Sequence, residues 1–349
     1  MKKILILPGD GIGPEIIKQV IKIINTCILF GIKIKLIYNY IGGISIDIFN
    51  KSFSNNLFNL CKNVNSIFLG CVGGYKWDKN IDKPENGLLN IRKKLNFFIN
   101  IRPIKCPFKN IDFIIIRELS SGIYYGKPKG ISKQIVNNIP TWYSYDTEIY
   151  NEQEIIKLIR ISFNLSLNRK KKICLIDKSN VLNTSKLWKK IFFYINNFYK
   201  NVKSNHLYID NSTIELIKNY NNFDVVLTNN IFGDILSDEC SLLTGSLGML
   251  PSISINSNLL SLFEPCHGSA PKIAGKNIAN PVGSLLSLVM MLEYVFNEKK
   301  ISNKLYFSIY KVLSLGFGTF DMKNILNNFK LVSTNEFGDL VNHFFLLND

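Results

Sequence analysis

The feature that most constrains this chain is an alternation. Short apolar runs rich in β-branched residues, at Lys3–Leu7, Ser66–Cys71, Phe113–Ile116, Ile173–Ile176 and Phe223–Leu227, are separated in several places by longer stretches of helical period. The alternation indicates an α/β fold. Helices are expected at Pro14–Leu29, opened by a proline in the first turn, and at Glu152–Leu167, Lys186–Tyr199, Phe232–Leu243 and Ser284–Phe296. At 349 residues and 46% hydrophobic content the chain can bury a large core, in two domains or one large α/β domain. No internal repeat or low-complexity linker marks a boundary. The segment Ser132–Tyr150 carries Trp142, Tyr143, Tyr145 and Tyr150 with little helical period, which fits an extended arm with aromatic contacts or a surface loop.

Several function classes recede on composition. Seven cysteines, scattered without CxxC spacing and odd in number, read as reduced thiols of a cytosolic protein. Pro8, Gly9 and Asp10 cut the N-terminal apolar run below signal-peptide length, and no stretch is long enough to span a bilayer. A net charge of +16 would ordinarily favour nucleic acid, but the lysines are spread along the chain beside abundant Asn and Ile, and no nucleic-acid-binding signature accompanies them. Neither nucleic acid nor membrane is therefore expected as a partner. Only five of the 42 basic residues are arginine, and three of them, Arg92, Arg102 and Arg117, lie close together. Their planar forks either grip carboxylates bidentately or sit on the surface.

Four segments carry candidate chemistry. Pro8-Gly9-Asp10-Gly11-Ile12-Gly13-Pro14-Glu15 lies between a strand and a helix, but its third glycine comes one residue too early for the dinucleotide fingerprint, so it reads first as a tight turn. In Ile231-Phe232-Gly233-Asp234-Ile235-Leu236-Ser237-Asp238, the two aspartates are four apart and share a helix face. They form either a solvated acidic face or hard ligands for magnesium or manganese. Lys178, directly after a strand, is a candidate general base or an ordinary strand-end charge, and Asp210 could join the metal pair. The last segment, Glu264-Pro265-Cys266-His267-Gly268-Ser269-Ala270-Pro271, holds one of only three histidines and forms a tight loop, structural or suited to enclosing a flat ring or phosphate.

Taken together these segments resemble one family, the β-decarboxylating dehydrogenases of the isocitrate/isopropylmalate type. The resemblance runs nearly end to end. It includes Leu7 through Glu15, Gly70-Cys71-Val72-Gly73-Gly74, Arg117-Glu118-Leu119 through Tyr124, Asn230 through Asp238, and Ala274 through Pro281. It implies two α/β domains around a cleft, not a Rossmann fold: residues 1–98 with 246–349 as the cofactor-binding domain, and 99–245 as the domain with the metal site, dimer interface and arm. It also implies a cytoplasmic homodimer with shared sites, using NAD and Mg2+ or Mn2+ in leucine biosynthesis. On this resemblance Arg92, Arg102 and Arg117 hold substrate carboxylates, and Asp234 and Asp238 bind the metal with the partner's Asp210. The partner's Lys178 is the base and Tyr124 the proton donor. Leu88, Leu89 and Val181 would wall an isopropyl group, which favours (2R,3S)-3-isopropylmalate, oxidised to 4-methyl-2-oxopentanoate, over isocitrate; a malate- or tartrate-type relative and a non-catalytic drifted subunit are the alternatives. Cofactor contacts would come from Glu85, Asn180, Glu264, His267, Gly268, Ser269, Ala270, Lys272, Ile273 and Asn280.

Three departures from the family pattern stand out. Lys272 replaces the Asp of NAD-using relatives, which should weaken NAD by on the order of 1–3 kcal/mol and relax discrimination against NADP, while Ile273 keeps the NAD-type apolar neighbour. Ser121 stands where glycine is usual. The stretch between Pro103 and Asp112 is short and is expected to be surface loop.

Overall fold

A computed structural model describes residues 1–347, and the chain divides into two compact units, Met1–Phe97 with the chain from Ser241 onward, and Phe98–Cys240. The first unit begins with β1 (Lys2–Gly9), α1 (Gly13–Leu29), β2 (Ile34–Tyr38), α2 (Gly43–Phe49), α3 (Asn55–Cys61), β3 (Ser66–Cys71) and α4 (Pro84–Lys94). The second contains β4 (Ile99–Cys106), β5 (Ile111–Glu118), β6 (Gly130–Val136), β7 (Ile139–Tyr145), α5 (Glu152–Leu167), β8 (Lys172–Asp177), α6 (Asn183–Asn196), β9 (Lys203–Tyr208), α7 (Ile209–Lys218), β10 (Val225–Thr228) and α8 (Asn230–Glu239). The chain then returns to the first unit with α9 (Ser241–Thr244), β11 (Pro251–Ile255), β12 (Ser261–Pro265), α10 (Val282–Tyr294), α11 (Lys299–Ser314) and α12 (Thr334–Leu347).

In the first unit the strands run β2-β1-β3-β12-β11, parallel except for the antiparallel β12–β11 pair. Every residue of β3 is buried, as a strand covered by helices on both faces must be. Ile16, Val20, Ile23, Ile24 and Cys27 recur at helical spacing and form the buried stripe of α1. Continuously buried from Val282 to Leu292, α10 is the deepest helix, and each large apolar side chain there contributes about 1.5–3 kcal/mol. The glycine segment after β1 is a tight turn: Gly9 and Gly11 have φ of 72° and 58°, and a Cβ on Gly9 would sit 1.9 Å from the Cys71 carbonyl oxygen.

The second unit orders its main strands β4-β5-β10-β8-β9, with β4–β5 antiparallel and the rest parallel. An Asn151/Glu154 capping box opens α5, which buries Ile155, Leu158, Ile159 and Phe163. Three expectations need correction here. The helix expected at Lys186–Tyr199 begins three residues earlier, because the Lys178 carbonyl accepts from the Val181 and Leu182 amides and winds the entering turn. The stretch expected as one helix over Phe232–Leu243 is broken after Glu239; α8 starts earlier, at Asn230, because the Asn229 side chain accepts from the Phe232 amide at 2.9 Å. The stretch between Pro103 and Asp112 is mostly strand, with only Pro107–Asn110 left as a turn between β4 and β5. Within Ser132–Tyr150, β6 and β7 pair as an antiparallel hairpin whose Ile131, Ile135, Ile139 and Trp142 side chains are exposed. All seven cysteines are free.

Candidate active site

The register of β4 against β5 sets Asn100 opposite Arg117 and Arg102 opposite Ile115, so Asn100, Arg102 and Arg117 share one face of the pair. Against that face lies α8, whose Asn230, Asp234, Ser237 and Asp238 recur at i, i+4, i+7 and i+8. Gly233 lets the two approach: a Cβ there would lie 2.7 Å from both Cβ and Cγ of Arg117. The result is a dense polar cluster. Arg117 donates to the Asn230 side-chain oxygen from Nε at 3.1 Å and Nη2 at 2.9 Å, and to Asp234 Oδ1 from Nη1. Arg102 reaches Asp234 Oδ1 at 3.2 Å and Asp238 Oδ1 at 3.5 Å, and bonds Ser237 and Asn100. Both arginines are buried, whereas the side chains of Asp234 and Asp238 are 35% and 50% exposed.

Tyr124 completes the group by donating to Asp234 Oδ2 at 3.0 Å, with the Arg117 guanidinium 5.7 Å from its ring centroid. Burial, then the Asp234 charge, pushes the phenol above its ordinary pKa, so it stays a proton donor at neutral pH. The Asp238 carboxyl is also raised, chiefly by desolvation, with Arg102 opposing. The loop leading to Tyr124 is pinned by Glu118, which is buried and accepts from the Ser120 hydroxyl and the Ser120 and Ser121 amides; desolvation pushes its carboxyl up to about 7. Ser121 uses the hydroxyl that a glycine would lack to reach Glu154 at 2.8 Å.

Lys178 and Asp210 form a second group in this unit. Lys178 directly follows β8 and Asp210 lies in the first turn of α7, and the two pair with one another, which holds the Asp210 carboxyl below its usual range. Val181 is 63% exposed and Asn180 is exposed, both on the turn after Lys178. Within one chain Asp210 pairs with Lys178, and among the described residues no group of three or more His, Cys, Asp or Glu could hold a metal ion. Beneath Lys178, buried Asp177 accepts from His206 at 2.9 Å.

In the first unit, Glu85, Leu88, Leu89 and Arg92 recur at i, i+3, i+4 and i+7 along α4. Arg92 is buried and donates to Glu264 at 2.7 Å, while its Nε is buried without a hydrogen-bond partner. Leu88 and Leu89 are half-buried. The tight loop after β12 opens onto a cavity of about 440 Å³ that includes His267, Gly268, Ala270, Ile273 and Asn280 in its wall. Of the other candidates, Ser269 is buried with its carbonyl accepting from Ile12 N, and Lys272 is exposed just outside the wall. Asn180 belongs to the second unit. The His267 Nδ1–H donates to the Gly268 carbonyl at 2.9 Å, and its Nε2 is buried without a partner. Desolvation lowers the pKa of this imidazole and favours the neutral ring, whose Nε2 is then an acceptor buried behind the cavity wall.

Some residues of these sites were not anticipated. Asn230 and Ser237 share the aspartate stripe and could have been found from its i, i+4, i+7 spacing. Phe320 and Asp321 also wall the cavity, but nothing in their local sequence marks them, and they arrive from a distant part of the chain.

Both expected groups fit the residues present. Asp234 and Asp238 set hard carboxylate oxygens on successive turns of α8, the donor type magnesium and manganese take, and both side chains are partly open to solvent although Arg102, Arg117 and Tyr124 already engage Asp234. The cavity is walled largely by apolar side chains, Ile12, Leu247, Ile273, Ile278 and Phe320 among them, a setting suited to a flat ring such as a purine.

Comparison with known proteins agrees with this architecture. The sequence model of the isocitrate/isopropylmalate dehydrogenase family matches residues 3–341. A 3-isopropylmalate dehydrogenase of Buchnera aphidicola subsp. Macrosiphoniella ludovicianae is 45% identical, covering 97% of this chain and 96% of the relative. That of Buchnera aphidicola subsp. Uroleucon erigeronensis is 44% identical over 99% and 98%. Among solved structures, isocitrate dehydrogenase from Methylococcus capsulatus superposes with a TM-score of 0.86 at 26% identity over 99% of both chains. A β-decarboxylating dehydrogenase from Thermococcus kodakarensis gives 0.78, also at 26% identity, over 99% of this chain and 96% of its own. With an α/β fold shared end to end and the motif residues gathered as described, this chain belongs to the isocitrate/isopropylmalate dehydrogenase family.

Proposed function

We propose that the protein oxidises and decarboxylates (2R,3S)-3-isopropylmalate to 4-methyl-2-oxopentanoate, a step of leucine biosynthesis, as an NAD- and divalent-metal-dependent homodimer. The observation that carries the chemistry is the Arg102/Arg117/Tyr124/Asp234/Asp238 cluster. Its two arginines and two aspartates cancel in charge, so a divalent cation and a substrate dianion can enter together without leaving net charge buried. Arg102 and Arg117 bind and orient carboxylate oxygens through fixed forks. When bound, the cation supplies the charge that acidifies the substrate hydroxyl and takes up developing negative charge, and NAD accepts the hydride. Lys178 of the partner subunit takes the hydroxyl proton. Tyr124 delivers a proton to the carbon that loses carbon dioxide. Leu88 and Leu89 supply apolar surface for the isopropyl group in place of the polar contacts a third carboxylate would need.

The deciding experiment follows NADH formation from isopropylmalate with magnesium, then mixes two inactive variants, Lys178→Ala and Tyr124→Phe. If the two residues act across the dimer, mixing restores about a quarter of wild-type turnover, because half the dimers are mixed and each has one intact site. Wild-type inactivity would remove the reading, and an active wild type with no restoration would remove the shared site.

A further inference from the structure

The Pro8–Glu15 segment takes no part in the chemistry above, yet it anchors the loops on which the cofactor cavity is built. Asp10, 4% exposed, accepts backbone N–H groups from Gly43 at 2.8 Å, Ile44 at 2.9 Å and Gly73 at 3.0 Å. Ile12 N donates to the Ser269 carbonyl at 2.9 Å, and a Cβ on Gly11 would lie 2.0 Å from that same oxygen. Ile12 and Ile16, with Cys71 and Ala279, form a buried cluster against which Ile273 and Ala274 rest.

The polar end of this support is Glu15, in the first turn of α1. Its Oε1 accepts from Gly275 N at 3.2 Å and its Oε2 from Asn277 N at 2.9 Å. Both residues are left-handed, with φ of 75° and 58°, and they carry the chain from Ile273 to Ile278, which are two walls of the cavity. The same loop is held elsewhere by Lys276 N on Ile273 O, and by Thr334 N and Asn335 N on the Asn277 carbonyl and side chain. Among the described residues that hydrogen-bond to this loop, Glu15 is the one that does so through a charged group, and charge-assisted bonds are the stronger kind.

We propose that Glu15 is a positioning residue of the cofactor pocket, fixing the Ile273–Ile278 wall through the Gly275 and Asn277 amides and so setting dinucleotide affinity without lining the cavity. The inference rests on the reading of that cavity as the NAD site. Wild type, Glu15→Ala and Glu15→Gln are compared as intact dimers by equilibrium titration with NADH, amide hydrogen exchange and steady-state kinetics. Glu15→Ala should raise the NADH Kd roughly tenfold and accelerate exchange at 275 and 277, with kcat and the KM for the diacid held within about twofold. Glu15→Gln should show a smaller rise, because its amide keeps one acceptor oxygen. If Glu15→Ala does not fold, Glu15→Gln decides on the same criteria. Unchanged Kd, unchanged exchange, or an equal loss in diacid KM overturns the proposal while wild-type NADH binding leaves the pocket reading standing. Failure of wild type to bind NADH overturns both.

Discussion

Replacing Gly233 with alanine separates the stability of the second unit from the alignment of its polar cluster. The new methyl would stand 2.7 Å from Arg117 Cβ and Cγ and 3.2 Å from Thr228 Cγ2. Carbon atoms settle at about 3.5–4.0 Å, so α8 must lift from β5 by close to 1 Å or Arg117 must turn. Overpacking of this kind costs about 1–3 kcal/mol, and the helix regains about 1 kcal/mol from losing a mid-helix glycine. The net loss of about 0–2 kcal/mol lowers Tm by no more than about 8 °C. Activity should suffer more, because Asp234 and Asp238 ride on the helix that moves while Arg102 and Arg117 stay on the strands. A misplacement of about 1 Å costs on the order of 100-fold. The assay is kcat/KM for isopropylmalate at saturating NAD, beside an NADH titration that should match wild type. A folded Gly233→Ala protein retaining kcat/KM within about threefold would refute the claim that this spacing sets the site.

Three further outcomes are expected. Glu118 has a native pKa of about 7 against an unfolded value of 4.5, so its contribution to stability is present below pH 4.5 and lost as pH rises to 7; about 3 kcal/mol is at stake, and Glu118→Gln should flatten that part of a Tm-versus-pH profile. Tyr124→Phe removes the hydroxyl bonded to Asp234, and kcat should fall by about 10²–10⁴ with little change in the NAD KM, read by NADH absorbance. Exposed Lys272 offers a cation where NAD-using relatives are expected to have a carboxylate, so Lys272→Asp should raise the NAD-to-NADP ratio of kcat/KM at least about tenfold.

The parts of the fold that could be read in the sequence are those with a strong local cause. β3 and β8 are built around the short apolar runs Ile67–Leu69 and Ile173–Ile176, and α5 carries both its capping box and its apolar stripe, so their limits fall close to where pattern reading places them. The start of α6 depends on the turn around the Lys178 carbonyl, which no periodicity records. The hairpin β6–β7 lacks a buried face, so the alternation that would have identified it as strands has nothing to encode. The arginines and aspartates were conspicuous as residue types, but the clasp of Asn230 on Arg117 requires β5 and α8 to meet, and only the folded chain brings them together. Phe320 and Asp321 reach the cavity in the same nonlocal way.

The division of the chain has a consequence for how it emerges from the ribosome. All five main strands of the second unit lie within one contiguous stretch, so their pairing can finish as soon as Thr228 is clear. The first unit cannot do this: β3 takes its second neighbour from Ser261–Phe263, and Arg92 waits for Glu264. During synthesis of the intervening residues, β2, β1 and β3 present an apolar sheet edge with unpaired backbone groups, a template for wrong partners. Translation speed through the second unit, and holding chaperones acting on the N-terminal segment, should therefore govern the yield of folded protein more strongly than the final stability does.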